Sequence, residues 1–135
     1  MTAFLKNNYP GILWGTLIVL LTTLPGSVFP ELPRFMDLFQ PDKLVHVFIF
    51  LVFVFLLVRG FRMEGTPLVI RRNAVTIGLT IAVTIGGITE IMQGLVIPMR
   101  FASPYDFIAN VSGSILGTFL FIIWEKRKRK REIGK

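Results

Sequence analysis

The sequence lacks cysteine altogether and has only one histidine, His46, among its 135 residues. The absence of cysteine excludes disulfides, thiolate nucleophiles and metal or redox sites built from cysteine. Charged residues are also scarce. They make up 17% of the chain, whereas about 25% is usual for a soluble globular domain. The composition therefore excludes an ordinary soluble domain and restricts the kinds of catalytic centre that the chain can build.

The abundant residues are apolar. Hydrophobic residues make up 53% of the chain, with 13 phenylalanines and a mean hydropathy of +0.66. They fall into four stretches near the length that a membrane-spanning helix needs, roughly 17 to 25 residues. We predict an all-α, four-helix transmembrane bundle that forms one domain over residues 1–135, with spans at about 11–28, 44–61, 74–97 and 105–124 and a basic tail at 125–135.

The first span is the shortest of the apolar stretches, and a signal peptide is the alternative interpretation. Lys6 precedes a plausible apolar segment, but no small-residue cleavage site follows Leu24. We therefore predict a retained helix that ends or kinks near residue 25. Residues 25–41 contain four prolines, which predicts a loop with a short turn around Phe35–Phe39.

The distribution of basic residues predicts the orientation. If both termini share a side with the loop at 59–73, that side holds twelve of the fifteen lysines and arginines, and the other side holds Arg34, Lys43 and Arg100. Basic residues are enriched on the cytoplasmic side of membrane proteins. We therefore predict a multi-pass protein of the bacterial cytoplasmic membrane with both termini in the cytoplasm and the loops at 25–43 and 98–104 outside.

The basic run KRKRKR at residues 126–131 has two interpretations. It either captures anionic lipid or RNA, or it stops transfer and sets topology with mild attraction to the inner leaflet. We prefer the second interpretation, because a charge run beside a span is most often a solvated topology signal. We therefore expect membrane lipids as partners and no nucleic acid.

Eight charged or amide residues are predicted to lie in the extracytoplasmic half of the bilayer. They are Asp42, Lys43, His46, Glu90, Gln93, Arg100, Asp106 and Asn110. Within each helix these residues recur at intervals of three or four, which places them on one face. Because a polar group that faces lipid has no partner, the faces are predicted to meet around a shared site.

Helix capping is an equally plausible role for two of these residues. Ser103, Pro104 and Asp106 match the N-cap, N1 and N3 positions of a helix start, with Asp106 as the acidic partner of a capping box. Asp42 follows Pro41 in a similar helix opening, where the helix dipole favours an acid.

Hydrogen bonding between helices is the alternative for the deeper residues, at about 0.6 kcal/mol per bond. A charge at the bilayer centre costs about 2.5 to 3.5 kcal/mol, so such bonding alone is a weak reason to keep Glu90. We therefore favour a site, with Glu90 either protonated or paired to Lys43 or Arg100.

Packing is predicted from small and apolar residues. The glycines at Gly86, Gly87, Gly113 and Gly117 are predicted to let the third and fourth spans approach closely. The second span is rich in Phe and Val beyond its first turn, which predicts lipid contact along most of its length.

The polar positions also carry a resemblance to a known family. The segments DKLVHVFIFLVF at 42–53, TEIMQG at 89–94 and RFASPYDFIANVSGSILG at 100–117 resemble the VanZ-like family of small bacterial membrane proteins. The resemblance extends from about Gly11 to Phe121. It implies a bundle of similar span number and an association with low-level resistance to the glycopeptide teicoplanin, without an established catalytic mechanism.

Three functions are compatible with these residues. The first is binding of an envelope lipid or cell-wall precursor, with Lys43 and Arg100 meeting phosphate. The second is an enzyme with His46 or Glu90 as general base, although a membrane phosphatase would need more than one histidine. The third is a non-catalytic structural or regulatory subunit whose polar residues only join helices.

A metal site is chemically possible but disfavoured. Its ligands would be Asp42, His46, Glu90 and Asp106. The neighbouring Lys43 and Arg100 oppose a bound cation and supply counter-charges themselves. We therefore predict no metal and no other cofactor.

Overall fold

The described part of the chain is entirely helical. A computed structural model describes residues 2–25, 27, 41–98 and 100–134. Over these residues the helices are α1 (Thr2–Thr23), α2 (Pro41–Arg62), α3 (Leu68–Arg72), α4 (Ala74–Leu95) and α5 (Pro104–Ile133). The all-α prediction is confirmed for this part of the chain. The turn predicted around Phe35–Phe39 lies outside the described residues.

Three of these helices, α2, α4 and α5, are long and apolar enough to cross a membrane. The helix α1 is also 22 residues long, but its N-terminal half contains Lys6, Asn7 and Asn8 and is less apolar. It also begins earlier than predicted and continues through Pro10. The structure therefore supports a multi-pass membrane protein by the length and composition of three helices.

The helix α5 continues well past the apolar segment predicted to end at residue 124. It has 30 residues and ends at Ile133, so the basic run forms its last two turns. Lysine and arginine are good helix formers, and basic side chains near a helix C-terminus interact favourably with its dipole. The tail is therefore a helical extension of α5 over the described residues.

The helix α2 is the centre of the bundle, and the prediction that it contacts lipid along most of its length is wrong. Phe50, Val54 and Val58 on α2 are fully buried. They belong to a core cluster that also includes Ile18 of α1 and Phe121 of α5. Because Phe and Val suit a protein interior as well as they suit lipid, composition alone does not separate the two environments.

The helices α2 and α5 run in the same direction. Lys43 near the start of α2 contacts Asp106 near the start of α5, and Leu51 lies against Gly117 further along both helices. The helix α1 runs the opposite way to α2, since its Gly11 approaches Leu57 of α2 while the later Gly15 approaches the earlier Phe53. The helix α4 also runs opposite to α2.

Glycines of α5 pack against α2, which corrects the prediction that Gly113 and Gly117 join the third and fourth spans. A Cβ atom at Gly113 would collide with the backbone carbonyl of Val47, and one at Gly117 with that of Leu51. Because a helix backbone cannot shift as easily as a side chain, both positions require glycine.

Glycines of α4 are less tightly enclosed. A Cβ at Gly86 would meet the Cβ of Asn110 at 3.1 Å and Cε1 of Phe50 at 3.3 Å, so this residue does face the fourth predicted span. Among the described residues, a Cβ at Gly87 would meet only Cε2 of Phe107, at 3.6 Å, which is ordinary contact. Gly87 is therefore not required by packing.

The helix α1 is attached to α2 by an indole. Nε1 of Trp14 donates a hydrogen bond to the carbonyl oxygen of Ile49 over 2.8 Å. A carbonyl oxygen has two lone pairs, so that of Ile49 can accept this bond in addition to its helical one. The contact ties α1 to the central helix one turn from His46.

The glycine contacts give a first prediction. Gly113→Ala and Gly117→Ala should each lower the free energy of unfolding by about 1 to 3 kcal/mol, because the added methyl group forces α2 and α5 apart. The measurement is the denaturation midpoint of purified protein in detergent. Gly87→Ala is the matched control and should leave stability unchanged or raise it by up to about 1 kcal/mol through helix propensity. Equal effects at all three positions would contradict the assigned packing.

Candidate functional site

All eight predicted polar residues lie at one end of the bundle, which we call the polar end. It consists of the C-terminal turns of α1 and α4, the N-terminal turns of α2 and α5, and the connection at residues 96–103. Because α2 and α5 start at this end while α1 and α4 finish there, four short stretches far apart in sequence become neighbours. The polar end therefore collects its residues through helix direction.

An ion pair joins the first turns of α2 and α5. Nζ of Lys43 lies 2.9 Å from Oδ1 of Asp106 and donates a hydrogen bond to it. The ammonium group also lies 5.7 Å from the centre of the Tyr105 ring. The Asp106 side chain is 12% exposed and that of Lys43 31% exposed. The pair is therefore partly shielded from solvent and holds two parallel helices in register.

A chain of hydrogen bonds links α2, α5 and α4 beneath that ion pair. The Nδ1–H of His46 donates to Oδ1 of Asn110, with 2.9 Å between the heavy atoms. Nδ2 of Asn110 in turn donates to Oε1 of Glu90 over 3.3 Å. An amide oxygen only accepts, and the amide nitrogen is already engaged with the carboxylate. Asn110 therefore requires a proton on Nδ1 of His46.

In a neutral imidazole with its proton on Nδ1, the other ring nitrogen of His46 keeps its lone pair. That atom, Nε2, lies 3.9 Å from Oδ1 of Asp42, which is beyond hydrogen-bond distance. His46 itself is buried, while the Asp42 side chain is 61% exposed. In that form Nε2 is a hydrogen-bond acceptor beside an exposed carboxylate, and a free acceptor nitrogen is what a general base or an anchoring hydrogen bond needs.

The start of α5 is capped by residues from two helices. Oγ of Ser103 accepts a hydrogen bond from the backbone N–H of Asp106 over 3.3 Å, and Pro104 follows Ser103 at the first helical positions. In a capping box the acidic N3 side chain would accept from the backbone N–H of Ser103. Here Oε2 of Glu90 accepts from it instead, over 3.3 Å.

The capping prediction is therefore correct for Ser103 and Pro104 but wrong for the carboxylate of Asp106. Because Glu90 of α4 takes the capping-box role, the Asp106 side chain is released to bind Lys43. The expectation that Glu90 pairs with Lys43 is also not met, since Lys43 bonds to Asp106.

Gln93 joins α4 to α1. Nε2 of Gln93 donates to the backbone carbonyl of Thr22 over 3.3 Å. Thr22 lies in the last turn of α1, where carbonyl groups lack an intrahelical partner. Gln93 therefore acts as a C-terminal cap for a helix from which it is 71 residues distant.

A small cavity opens beside the His46 imidazole. Its volume is about 80 Å³. The polar side chains that line it are those of Thr22, Asp42, His46, Gln93 and Arg100. Apolar residues of α1 and α2 form the remainder of the wall. The cavity therefore places a guanidinium, an imidazole and a carboxylate around one space large enough for a small polar group.

A metal cation at the polar end would be opposed by a neighbouring positive charge. Asp42, His46 and Asp106 each offer a ligand atom, and these atoms lie within 4.8 Å of one another. The Lys43 ammonium already occupies Oδ1 of Asp106. A metal ion would have to displace that ammonium or accept its repulsion, so the residues fit an anion or a polar head group better.

Two contributors were not anticipated from the sequence. Tyr105 supplies a ring for the Lys43 ammonium, and Thr22 supplies a backbone carbonyl for Gln93. A tyrosine at the start of a membrane helix is a common interfacial residue, which is the only signal the sequence carries for it. Every residue has a backbone carbonyl, so the sequence does not indicate that Thr22 accepts this bond.

Comparisons with family models, with curated proteins and with solved structures found no match to the chain.

The ion pair leads to a second prediction. In a double-mutant cycle, Lys43→Ala and Asp106→Asn should show a coupling of about 1 kcal/mol, at the upper end of the range for exposed pairs, because both side chains are partly shielded. Stability in detergent is the measurement. Asp106→Asn keeps the Ser103 cap, since that bond uses the Asp106 backbone. A coupling below about 0.3 kcal/mol would mean that the pair does not hold α2 and α5 together.

Proposed function

We propose that this chain is a VanZ-like integral membrane protein whose polar end binds, or acts on, the head group of an envelope lipid or cell-wall precursor. One observation carries the proposal. The buried His46 turns Nε2 towards Asp42, beside a cavity that Arg100 also lines. Arginine is suited to phosphate and carboxylate, and a neutral imidazole accepts from a hydroxyl or amine.

The cavity limits what enters it. A volume of about 80 Å³ accommodates a single phosphate- or hydroxyl-sized group, so the rest of a head group must lie outside, near the exposed carboxylate of Asp42. The ligand proposed is therefore an amphiphile whose anionic or hydroxylated group enters beside His46 while its tail stays in the bilayer. If the protein is an enzyme, Nε2 of His46 is the base.

The orientation proposed with this function puts the polar end outside the cell. We include α1 as a fourth span, because 22 helical residues extend about 33 Å at 1.5 Å each and α1 packs on the central helix through Trp14 and Gly15. With four spans both termini lie in the cytoplasm, on the side that holds twelve of the fifteen basic residues.

Joining of helices is the second candidate role, and one observation favours it. Glu90, Asn110 and Asp106 all have protein partners within the bundle. A structural or regulatory subunit would need no more than these bonds. Variants at Arg100 and His46, which line the cavity, separate the two roles, because only ligand binding uses the cavity.

A third prediction tests the ligand. Intact-protein mass spectrometry should detect a co-purified envelope lipid or precursor on the wild type, and Arg100→Ala and His46→Ala should each lose most of it while remaining folded. Arg72→Ala removes an equal charge from an exposed position outside the site and is the control. Susceptibility of cells to teicoplanin is a second readout, because the resemblance to the VanZ-like family suggests that phenotype.

The same experiment can also contradict head-group binding. Identical bound lipids in the wild type and both site variants would reject head-group binding. Loss of folded protein in Arg100→Ala and His46→Ala, with no lipid on the wild type, would favour the joining role.

A fourth prediction tests orientation, and the absence of cysteine makes it direct. Phe101→Cys, at an exposed position of the polar end, should react with a membrane-impermeant maleimide on intact cells. Ala3→Cys and Gly134→Cys, near the two ends of the chain, should react only after permeabilisation. Labelling of Ala3→Cys on intact cells would show that α1 does not cross the membrane.

A further inference from the structure

A second cavity lies at the opposite end of the bundle, which we call the basic end. It has a volume of about 620 Å³ and is formed by the N-terminal turns of α1, the last turn of α2 with the residues that follow, and α5. Its size falls within the range of small-molecule sites, about 300 to 1,000 Å³.

The charges that line this cavity are mainly positive. Arg59, Arg62 and Lys128 supply cations, and Glu64 and Glu125 supply carboxylates. The Glu125 carboxylate is shared, because its Oε1 lies 3.8 Å from a nitrogen of Arg62 and 3.8 Å from a nitrogen of Arg129. Neither distance is a hydrogen bond. Three cations against two carboxylates leave the lining with a net charge of +1.

Arg62 has an unmet donor within this arrangement. Among the described residues, the Nε–H of Arg62 is buried and has no hydrogen-bond acceptor. A buried donor without an acceptor is destabilising, and for a charged group more so. The Arg62 side chain as a whole is 33% exposed and lines the cavity, so an anionic oxygen there would bond to the accessible part of the guanidinium and act as the partner that Glu125 is too distant to provide.

The floor of the cavity is aromatic. Phe121 is buried there, and its ring lies 5.7 Å from that of Trp124. Nζ of Lys128 lies 5.8 Å above the Trp124 ring. Tryptophan and basic residues mark the depth where a membrane helix leaves the hydrocarbon and enters the head groups. The cavity therefore has an apolar floor and a cationic rim at the depth of lipid phosphates.

We propose that the basic-end cavity binds a phosphate-bearing anion through Arg62, Arg59 and Lys128. An anionic phospholipid and free phosphate share the required chemistry. The aromatic floor favours the phospholipid, because free phosphate has no apolar part to cover it. Basic pockets between membrane helices on the cytoplasmic side are suited to such head groups. This site is separate from the polar end and does not depend on the function proposed there.

The test uses the purified full chain in lipid nanodiscs, where both faces are accessible and orientation does not matter. Native mass spectrometry measures retention of phosphatidylglycerol against phosphatidylcholine. We expect a preference of about tenfold for phosphatidylglycerol, and a loss of about tenfold in Arg62→Ala and in Lys128→Ala, which is the scale of one charge-assisted contact. Lys128 is largely exposed, so its variant should fold even if Arg62→Ala does not.

Matched controls remove the same charge elsewhere on the basic end. Arg72→Ala on α3 and Lys130→Ala on α5 should keep the preference, since neither residue lines the cavity. A second arm titrates inorganic phosphate into nanodiscs of phosphatidylcholine alone. Binding of phosphate that Arg62→Ala or Lys128→Ala abolishes, without a preference among lipids, supports the same site with a soluble ligand.

Two results would overturn the proposal. One is the absence of both a phosphatidylglycerol preference and phosphate binding. The other is an equal loss in the control variants and the cavity variants, which would show that only general positive charge attracts the lipid.

Discussion

The close parallel contact between α2 and α5 is the constraint on which the polar end depends. Gly113 and Gly117 bring α5 against the backbone carbonyls of α2, with no room for a side chain. With the helices at that distance and running the same way, the first turns of both lie at the same depth. Lys43 then reaches Asp106, and His46 reaches Asn110 one turn deeper. Both contacts follow from the same helix register.

Glu90 connects α4 to the pair formed by α2 and α5. Its two carboxylate oxygens accept from the Asn110 amide and from the backbone N–H of Ser103. Ionisable residues are costly within a membrane unless they are paired, and these two bonds give the carboxylate donors on both sides. Because one donor is the N-cap of α5, the position of α4 is coupled to the start of α5. A single acidic residue thereby links three helices and, through Asn110, favours a proton on Nδ1 of His46.

The two ends of the bundle differ in chemistry. The polar end combines acids, a base and amides around a cavity of about 80 Å³, whereas the basic end has a cavity of about 620 Å³ with a cationic rim and an aromatic floor. Between them the core consists mainly of Phe and Val side chains, with Ile18, Leu57, Ala74 and Ala82. This division follows from the membrane itself, since polar groups are least costly near the head groups and apolar groups are favoured between them.

Several features were predictable from the sequence because they depend on local properties. Hydropathy and length predict the spans that became α2, α4 and α5, and residue type predicts Ser103 and Pro104 at a helix start. Helical spacing places Asp42 and His46 on one face. The depth of the polar residues follows from counting along each predicted span, so the sequence also predicts their common location at one end of the bundle.

The remaining features were decided only by tertiary structure. Hydropathy measures transfer out of water, and a Phe or Val gains as much in lipid as in a protein core, so the central position of α2 could not be recognised. Spacing gives the face of a helix but not the neighbour it meets, which is why Gly113 was assigned to the wrong partner. The bond from Glu90 to Ser103 depends on the relative position of two helices. The sequence alone therefore determines which residues need partners, and packing decides which partners they obtain.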